Sequence, residues 1–265
     1  MNKTKYWILG SIVFLTALAA YAVMMYVYVE NRFAPLALLT EPQKTTLPSV
    51  WKPAKQLLFL HQVNTPNRAK RKENRFDGYE VDILVSAEGE VLVGHDEKDL
   101  SKKITLSDIW SAMKNPADKF YWLDLKTELS DTQLDEIVGH AKTFGIRPEN
   151  LFFESLPNDT AKKISKKGLI LMLQLMNGFN EDENSITKRQ AINLALQTQW
   201  QEYKPAAVTA SFGKYAALKS YFPNAAKAIY YSATVRPTLK KTFMKKSMKA
   251  DDSVKIFMLD EYTFL

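Results

Sequence analysis

Eight short β-rich runs, separated by stretches long enough for crossovers, limit what this 265-residue chain can fold into more than any other feature. The runs lie at 56–62, 79–85, 120–125, 151–154, 169–175, 207–210, 227–231 and 254–259. Gaps of this length exceed a tight hairpin and suit parallel strands joined by helices. Leu106, Ile109, Trp110 and Met113 recur at i, i+3, i+4, i+7, the spacing of one helix face. Further helices are expected over 132–144, ending at Gly145, over 186–200 and over 237–249. The crossover over 65–76 is short, so its helix is expected to be rudimentary. Eight parallel strands with crossover helices predict an α/β fold, a (β/α)8 TIM barrel. An open doubly wound sheet is the alternative, and no glycine-rich nucleotide loop follows any strand to favour it.

The N-terminus obeys a different rule. Tyr6 to Val29 is 24 consecutive uncharged residues, which as a helix would measure about 36 Å, enough to cross a hydrocarbon core of about 30 Å. Lys3 and Lys5 precede the run, and Glu30 and Arg32 follow it. That asymmetry predicts a cytoplasmic N-terminus and a barrel outside the cytoplasm, on the periplasmic face in a Gram-negative cell. Cleavage after a small-residue pattern such as Ala17-Leu18-Ala19 is the alternative, but the apolar run continues seven residues beyond Ala22. The expected organisation is a membrane anchor over 1–29, a proline-containing linker over 30–54 and the barrel over 55–265.

The chain has no cysteine, which excludes disulfides, zinc–thiolate sites and thiol nucleophiles. Its net charge of +7 favours anionic ligands or surfaces. Six basic and no acidic residues fall between Arg236 and Lys249, read as a solvated helix face or a contact with anionic lipid beside the anchor. No nucleic-acid motif occurs, and no nucleic-acid partner is expected.

Catalytic groups of such a barrel come from the C-terminal ends of its strands. His61 ends the first run. Glu80 and Asp82, two residues apart, face one side of the second. Paired carboxylates on an apolar strand are costly unless a positive charge lies between them, and a hard divalent cation would supply it. A turn at Ala87-Glu88-Gly89 and a short strand over 90–94 deliver His95-Asp96, and the third run ends Asp124-Leu125-Lys126. His140, the third histidine, falls in a helix and is read as a bystander. Carboxylates around a cation, a lysine and two histidines suit phosphodiester cleavage: positive charge for the phosphoryl oxygens, and two imidazoles to divide the proton transfers.

The stretches Gly78-Tyr79-Glu80-Val81-Asp82-Ile83 and Glu88-Gly89-Glu90-Val91-Leu92-Val93-Gly94-His95-Asp96 resemble the signature of the glycerophosphodiester phosphodiesterase family. That family carries a histidine ending strand 1, an E-x-D pair, H-D after a turn and an acidic-x-Lys motif, and all four occur here in order. Weaker likeness continues through Glu154-Ser155, Tyr230-Tyr231-Ser232 and Asp260-Glu261. The resemblance implies a TIM barrel, a divalent cation (Mg or Ca) held by Glu80, Asp82 and Asp124, His61 and His95 as the acid–base pair, and substrate contact by Lys126 and Asn64. The chain departs from the family pattern at Gln62, where an arginine is usual, with Arg68 as a substitute to examine, and at Asp124, where glutamate is usual. Its His-x-Val-Asn segment and Asp-Leu-Lys triplet resemble the menorin-like branch of the superfamily. The expected activity is a membrane-anchored, metal-dependent phosphodiesterase acting on a glycerophosphodiester or lysophospholipid, by water or by an internal hydroxyl that leaves a cyclic phosphate. The alternatives are a non-catalytic envelope binding protein on the same barrel and a different metal hydrolase or lyase.

Overall fold

The computed structural model describes residues 3–32, 56–174, 186–231 and 239–260. Of the expected linker over 30–54, residues 30–32 continue the N-terminal helix, and 33–54, together with Arg236 and Glu261, lie outside the described residues. A parallel sheet closes on itself in the order β1 (Leu57–Leu60), β9 (Val254–Leu259), β8 (Lys227–Tyr231), β7 (Ala207–Ser211), β6 (Ile170–Gln174), β5 (Leu151–Ser155), β4 (Phe120–Leu125), β2 (Gly78–Val85), and β2 pairs again with β1. This closure removes the doubly wound alternative. A ninth strand, β3 (Val91–Val93), runs antiparallel on the end of β2.

The helices are α2 (Pro66–Lys72), α3 (Leu106–Ser111), α4 (Asp131–Thr143), α5 (Asp159–Lys166), α6 (Ile186–Tyr203), α7 (Tyr215–Tyr221) and α8 (Leu239–Lys249), preceded by α1 (Lys3–Arg32). Side-chain caps start most of those in the first half. Thr65 caps α2, Thr105 and Ser130 form capping boxes on α3 and α4, and Asn158 caps α5. Gly145 follows α4 at φ +72°, a conformation that suits glycine there. Sequence periodicity does not single out α5 and α7, whose eight and seven residues span barely two turns. The first crossover is as rudimentary as expected, seven residues long.

The barrel has two apolar layers. Between sheet and helices lie Trp110, Tyr121, Leu134, Phe153 and Leu218, among others. Inside the barrel lie Phe59, Trp122, Phe152, Met172, Ala228, Ile256 and Met258. The rings of Phe59, Trp122 and Phe152 pack at centroid distances of 6.0–6.4 Å. Gly78 makes room for this plug, because a Cβ there would stand 2.5 Å from Phe59 Cζ and 2.7 Å from the Phe120 carbonyl oxygen.

α1 lies against α8 and α7, with Tyr26 and Phe243 edge-to-face at 5.9 Å. Its described side chains are Trp7 and the run from Ser11 to Val27, all exposed except Ala22 and Met25. Among the described residues no helix is long and apolar enough to cross a membrane.

Candidate active site

Strand alternation builds the site. On most barrel strands an apolar residue of the inner plug is followed, two positions toward the C-terminal end, by a polar residue facing the same way. Phe59 precedes His61, Trp122 precedes Asp124, Phe152 precedes Glu154, Ala207 precedes Thr209, Ala228 precedes Tyr230 and Met258 precedes Asp260. On β2 the position below Glu80 and Asp82 is Gly78. Register sets Asp82 beside Asp124 and Asp124 beside Glu154, so three carboxylates share one rung at the mouth.

Glu80, Asp82 and Asp124 offer oxygens that all lie within 4.8 Å of one another. Glu80 and Asp82 are buried, and Asp124 is partly so. Glu80 accepts the backbone N–H of Gln62, whose left-handed φ of +53° turns the chain out of β1 straight after His61. This turn ends the strand at Leu60, two residues earlier than the β-rich run suggests. Asn64 then locks Asp82 from both sides: its Nδ2 donates to Asp82 Oδ2 at 2.5 Å, and its Oδ1 accepts the Asp82 N–H at 3.0 Å. Lys126 Nζ stands 2.8 Å from Asp82 Oδ1 and also pairs with Asp124.

His61 and His95 approach different members of this cluster, Glu80 and Asp82. His61 Nδ1 lies 2.9 Å from Asp260 Oδ1, and its Nε2 lies 4.0 Å from Glu80 Oε2. Tyr230 donates its hydroxyl to Asp260 at 3.2 Å, and its ring lies 4.2 Å from the imidazole. His95 arrives on the β2–β3 hairpin. The Gly94 N–H donates to the Asp82 carbonyl, which sets His95 Nδ1 3.3 Å from Asp82 Oδ2. Gly94 is required here, since a Cβ would meet Asp99 Cβ at 2.6 Å. Asp99 in turn accepts the His95 N–H at 2.9 Å, and Lys102 with that backbone donor holds the Asp99 carboxyl down at about 2.

Burial and crowding pull the acids apart. Glu80 is pushed well up, first by burial and then by Asp82 and Asp124. Asp124 is also raised, burial outweighing Lys126. Asp82 suffers burial too, but Lys126, Asn64 and His95 together bring it below the ordinary aspartate value. Burial works against the charge of Lys126, yet Asp124 and Asp82 hold it above the usual lysine value. His61 is lowered by burial and further by Arg68, against the opposing pull of Asp260 and Asp82. Glu154 is pushed up to about 8, by burial and then by Asp124. It accepts Trp122 Nε1–H at 2.7 Å and the Thr209 hydroxyl.

All seven residues singled out from sequence therefore gather at one end of the barrel. His140 lies on α4, away from this group. From sequence, Asp260, Tyr230 and Glu154 stand out only within a weaker family likeness and without a role, and Thr209 does not stand out at all. The signal for them was parity, because each follows a plug residue by two positions, as His61 follows Phe59.

The donors fit a divalent cation. They are three carboxylates in reach of one another, of the hard-oxygen class that Mg and Ca prefer. Two of them carry protons above their ordinary range that a cation would displace.

No family model and no curated protein matches the sequence. Solved structures do match. A glycerophosphodiester phosphodiesterase from Parabacteroides distasonis is 14% identical with a TM-score of 0.50, covering 77% of this chain and 92% of that one. The glycerophosphoryl diester phosphodiesterase domain of a Mycobacterium tuberculosis protein is 12% identical with a TM-score of 0.44, covering 77% and 96%. An orotidine 5′-monophosphate decarboxylase from Metallosphaera sedula is 12% identical with a TM-score of 0.45, covering 78% and 88%. At these identities the likeness is one of fold.

Proposed function

We propose that the chain is a membrane-anchored, divalent-metal-dependent phosphodiesterase of the glycerophosphodiester type, acting on a glycerophosphodiester or a lysophospholipid. One observation carries this reading. Three mutually close carboxylates are flanked by two histidines whose ring nitrogens face them, with Lys126 joining two of the acids. Glu80, Asp82 and Asp124 would hold the cation. When bound, it neutralises charge on the phosphoryl oxygens as a Lewis acid.

The remaining chemistry belongs to the chain. Asp260 accepts the proton on His61 Nδ1, which leaves Nε2 free as an acceptor toward the cluster. Burial keeps His61 neutral near pH 7, the state a general base needs. Its Nε2 takes the proton of the attacking water or substrate hydroxyl as the new P–O bond forms. His95 gives a proton to the departing alkoxide as the old P–O bond breaks. Lys126 supplies fixed positive charge at the phosphate, and Asn64 keeps Asp82 in place.

The anchor rests on α1. It is one uninterrupted helix of 30 residues, it carries the 24 uncharged positions, and its described apolar side chains are exposed apart from Ala22 and Met25. We place the barrel outside the cytoplasm on the asymmetry of the flanking lysines. Purified full-length protein with Mg or Ca is expected to hydrolyse glycerophosphodiesters, and His61→Ala and His95→Ala are each expected to abolish this. A folded, metal-loaded protein that cleaves no phosphodiester, or histidine variants of full activity, would overturn the reading in favour of a binding protein. Recovery of the protein in the soluble fraction after cell breakage would overturn the anchor.

A further inference from the structure

The basic run near the end of the chain has no part in the chemistry at the mouth. It forms α8, which carries Lys240, Lys241, Lys245, Lys246 and Lys249 and no acid. Met244 and Met248, four apart, are buried in the layer between sheet and helices and fix which way α8 faces. The opposite stripe, Thr242, Lys246 and Lys249 at i, i+4 and i+7, is exposed. Lysines on α5 are matched by carboxylates. Lys162 meets Glu202 and Lys163 meets Asp159, while Lys167 just beyond the helix meets Asp131 and Asp135. Lys246 and Lys249 pair with no carboxylate among the described residues.

A second observation says what covers this face. Phe243, between the buried and exposed stripes, packs edge-to-face on Tyr26 of α1 at 5.9 Å. Tyr26 stands three residues before Val29, the last of the uncharged run. Tyrosine favours the boundary between hydrocarbon and headgroups. On the anchor reading, α8 therefore meets α1 where the anchor leaves the hydrocarbon. Lys246, one turn along from Phe243, borders that seam. An anionic leaflet attracts lysines held within a Debye length of its surface, about 10 Å.

We infer that the exposed lysine face of α8 docks on anionic phospholipid headgroups of the bilayer that α1 enters, and so fixes which side of the barrel faces the membrane. This rests on the anchor part of the proposed function and is independent of the phosphodiesterase chemistry. The docked side is that of β8 and β9, because α8 connects them. Lys245, whose Nζ stands 5.6 Å from the centre of the Tyr231 ring, ties the helix to the C-terminal end of β8. The mouth then opens beside the bilayer, with Tyr230 and Asp260 on its near rim.

The test uses the full-length protein reconstituted into vesicles of phosphatidylcholine alone, or of equal parts phosphatidylcholine and phosphatidylglycerol. The chain has no cysteine, so Thr242→Cys gives a single labelling site on the exposed stripe. A dye there is read for quenching by a quencher carried on lipid headgroups, and flotation of the vesicles reads the anchor separately. Quenching should be strong with phosphatidylglycerol, weak with phosphatidylcholine alone, and relieved by salt. Lys246→Gln/Lys249→Gln should lower the ratio of docked to undocked protein about 25-fold, about fivefold per lysine. Lys142→Gln/Lys166→Gln, on exposed lysines of α4 and α5 across the barrel, should match the parent. Flotation with both vesicles but equal quenching in both, or in the parent and the Lys246/Lys249 variant, would overturn the docking and leave the anchor standing. Flotation only with phosphatidylglycerol, lost in that variant, would uphold the docking and overturn the anchor. Flotation with neither would overturn both. A dye that responds to soluble polyglutamate and not to phosphatidylglycerol would assign the face to an acidic protein and overturn the lipid proposal.

Discussion

Asp260 sets the tautomer of His61, and replacing it tests the assignment of His61 as the base. The Nδ1···Oδ1 separation is 2.9 Å and the side chains are 17% and 24% exposed, so water only partly competes for the bond. Removing a hydrogen bond to a charged group costs about 1.5–3 kcal/mol, a loss of about ten- to 150-fold in kcat/KM. That is the expectation for Asp260→Ala. Asp260→Asn should be worse despite its closer shape. Its amide N–H can face Nδ1, which places the proton on Nε2 and removes the acceptor the mechanism requires. The pH profile supplies a second readout. A base works neutral, so activity is lost as pH falls through the folded pKa of His61, which lies below 6.5. Asp260 opposes that lowering, so its removal should move the acidic limb of kcat/KM to lower pH still. The assay is kcat/KM against pH for full-length parent and both variants, saturated with Mg. An asparagine variant equal to or better than the alanine variant, or an unmoved acidic limb, would refute the tautomer argument.

Three further expectations follow from the buried acids and the barrel plug. Because Glu80 and Asp124 are raised by burial, Mg binding should release protons and tighten with pH. Calorimetry in two buffers of different ionisation heat checks this, and Glu80→Ala/Asp82→Ala should abolish the signal. In the metal-free protein Glu154, raised to about 8, keeps its proton where the unfolded chain has lost it. Stability is then greatest below about pH 4.5 for this group and falls as pH climbs toward 8, by up to about 1.4 kcal/mol per unit. Glu154→Gln should flatten that slope in thermal melts and leave Mg affinity nearly unchanged, since Glu154 is outside the close trio. Gly78→Ala should cost about 1–3 kcal/mol through overpacking against Phe59 and the Phe120 carbonyl, seen as a Tm lower by several degrees.

The strands were legible because their apolar runs are buried on both faces, and every one of the eight recurs in the barrel. The trio and both histidines were legible because polar residues interrupting such runs are costly, and therefore conspicuous. Asp260 and Tyr230 stand at equivalent places but carry no role in the sequence reading, because a lone acid or tyrosine near a strand end is unremarkable until closure brings β9 beside β1. The positive φ of Gln62 and the cap at Thr65, which turn the chain out of β1, are likewise features that a periodicity cannot express. The short helices α5 and α7 escaped for a related reason, as one buried face of eight or seven residues is too brief a pattern to separate from loop.

Charge across the mouth is graded, and the gradient locates the chemistry. Asp82, Asp124 and Glu154 sit on one rung of three adjacent strands. Asp82 is tied to Lys126, Asn64 and His95 and is stabilised as the anion. Asp124 shares Lys126 but is raised by its own burial. Glu154 makes no ion pair among the described residues; the neutral donors of Trp122 and Thr209 and the more distant Lys126 do not outweigh its burial, and it is pushed up to about 8. Negative charge therefore concentrates on the β2–β4 side, where Glu80 adds a third oxygen donor, and fades toward β5. His61 and His95 flank that same side. A neutral Glu154 spares the rung a third charge, which Lys126, already paired with Asp82 and Asp124, only weakly offsets. On the proposed function, a metal held between β2 and β4 would leave the β5 side with a protonated acid instead of a repelling carboxylate facing an anionic substrate.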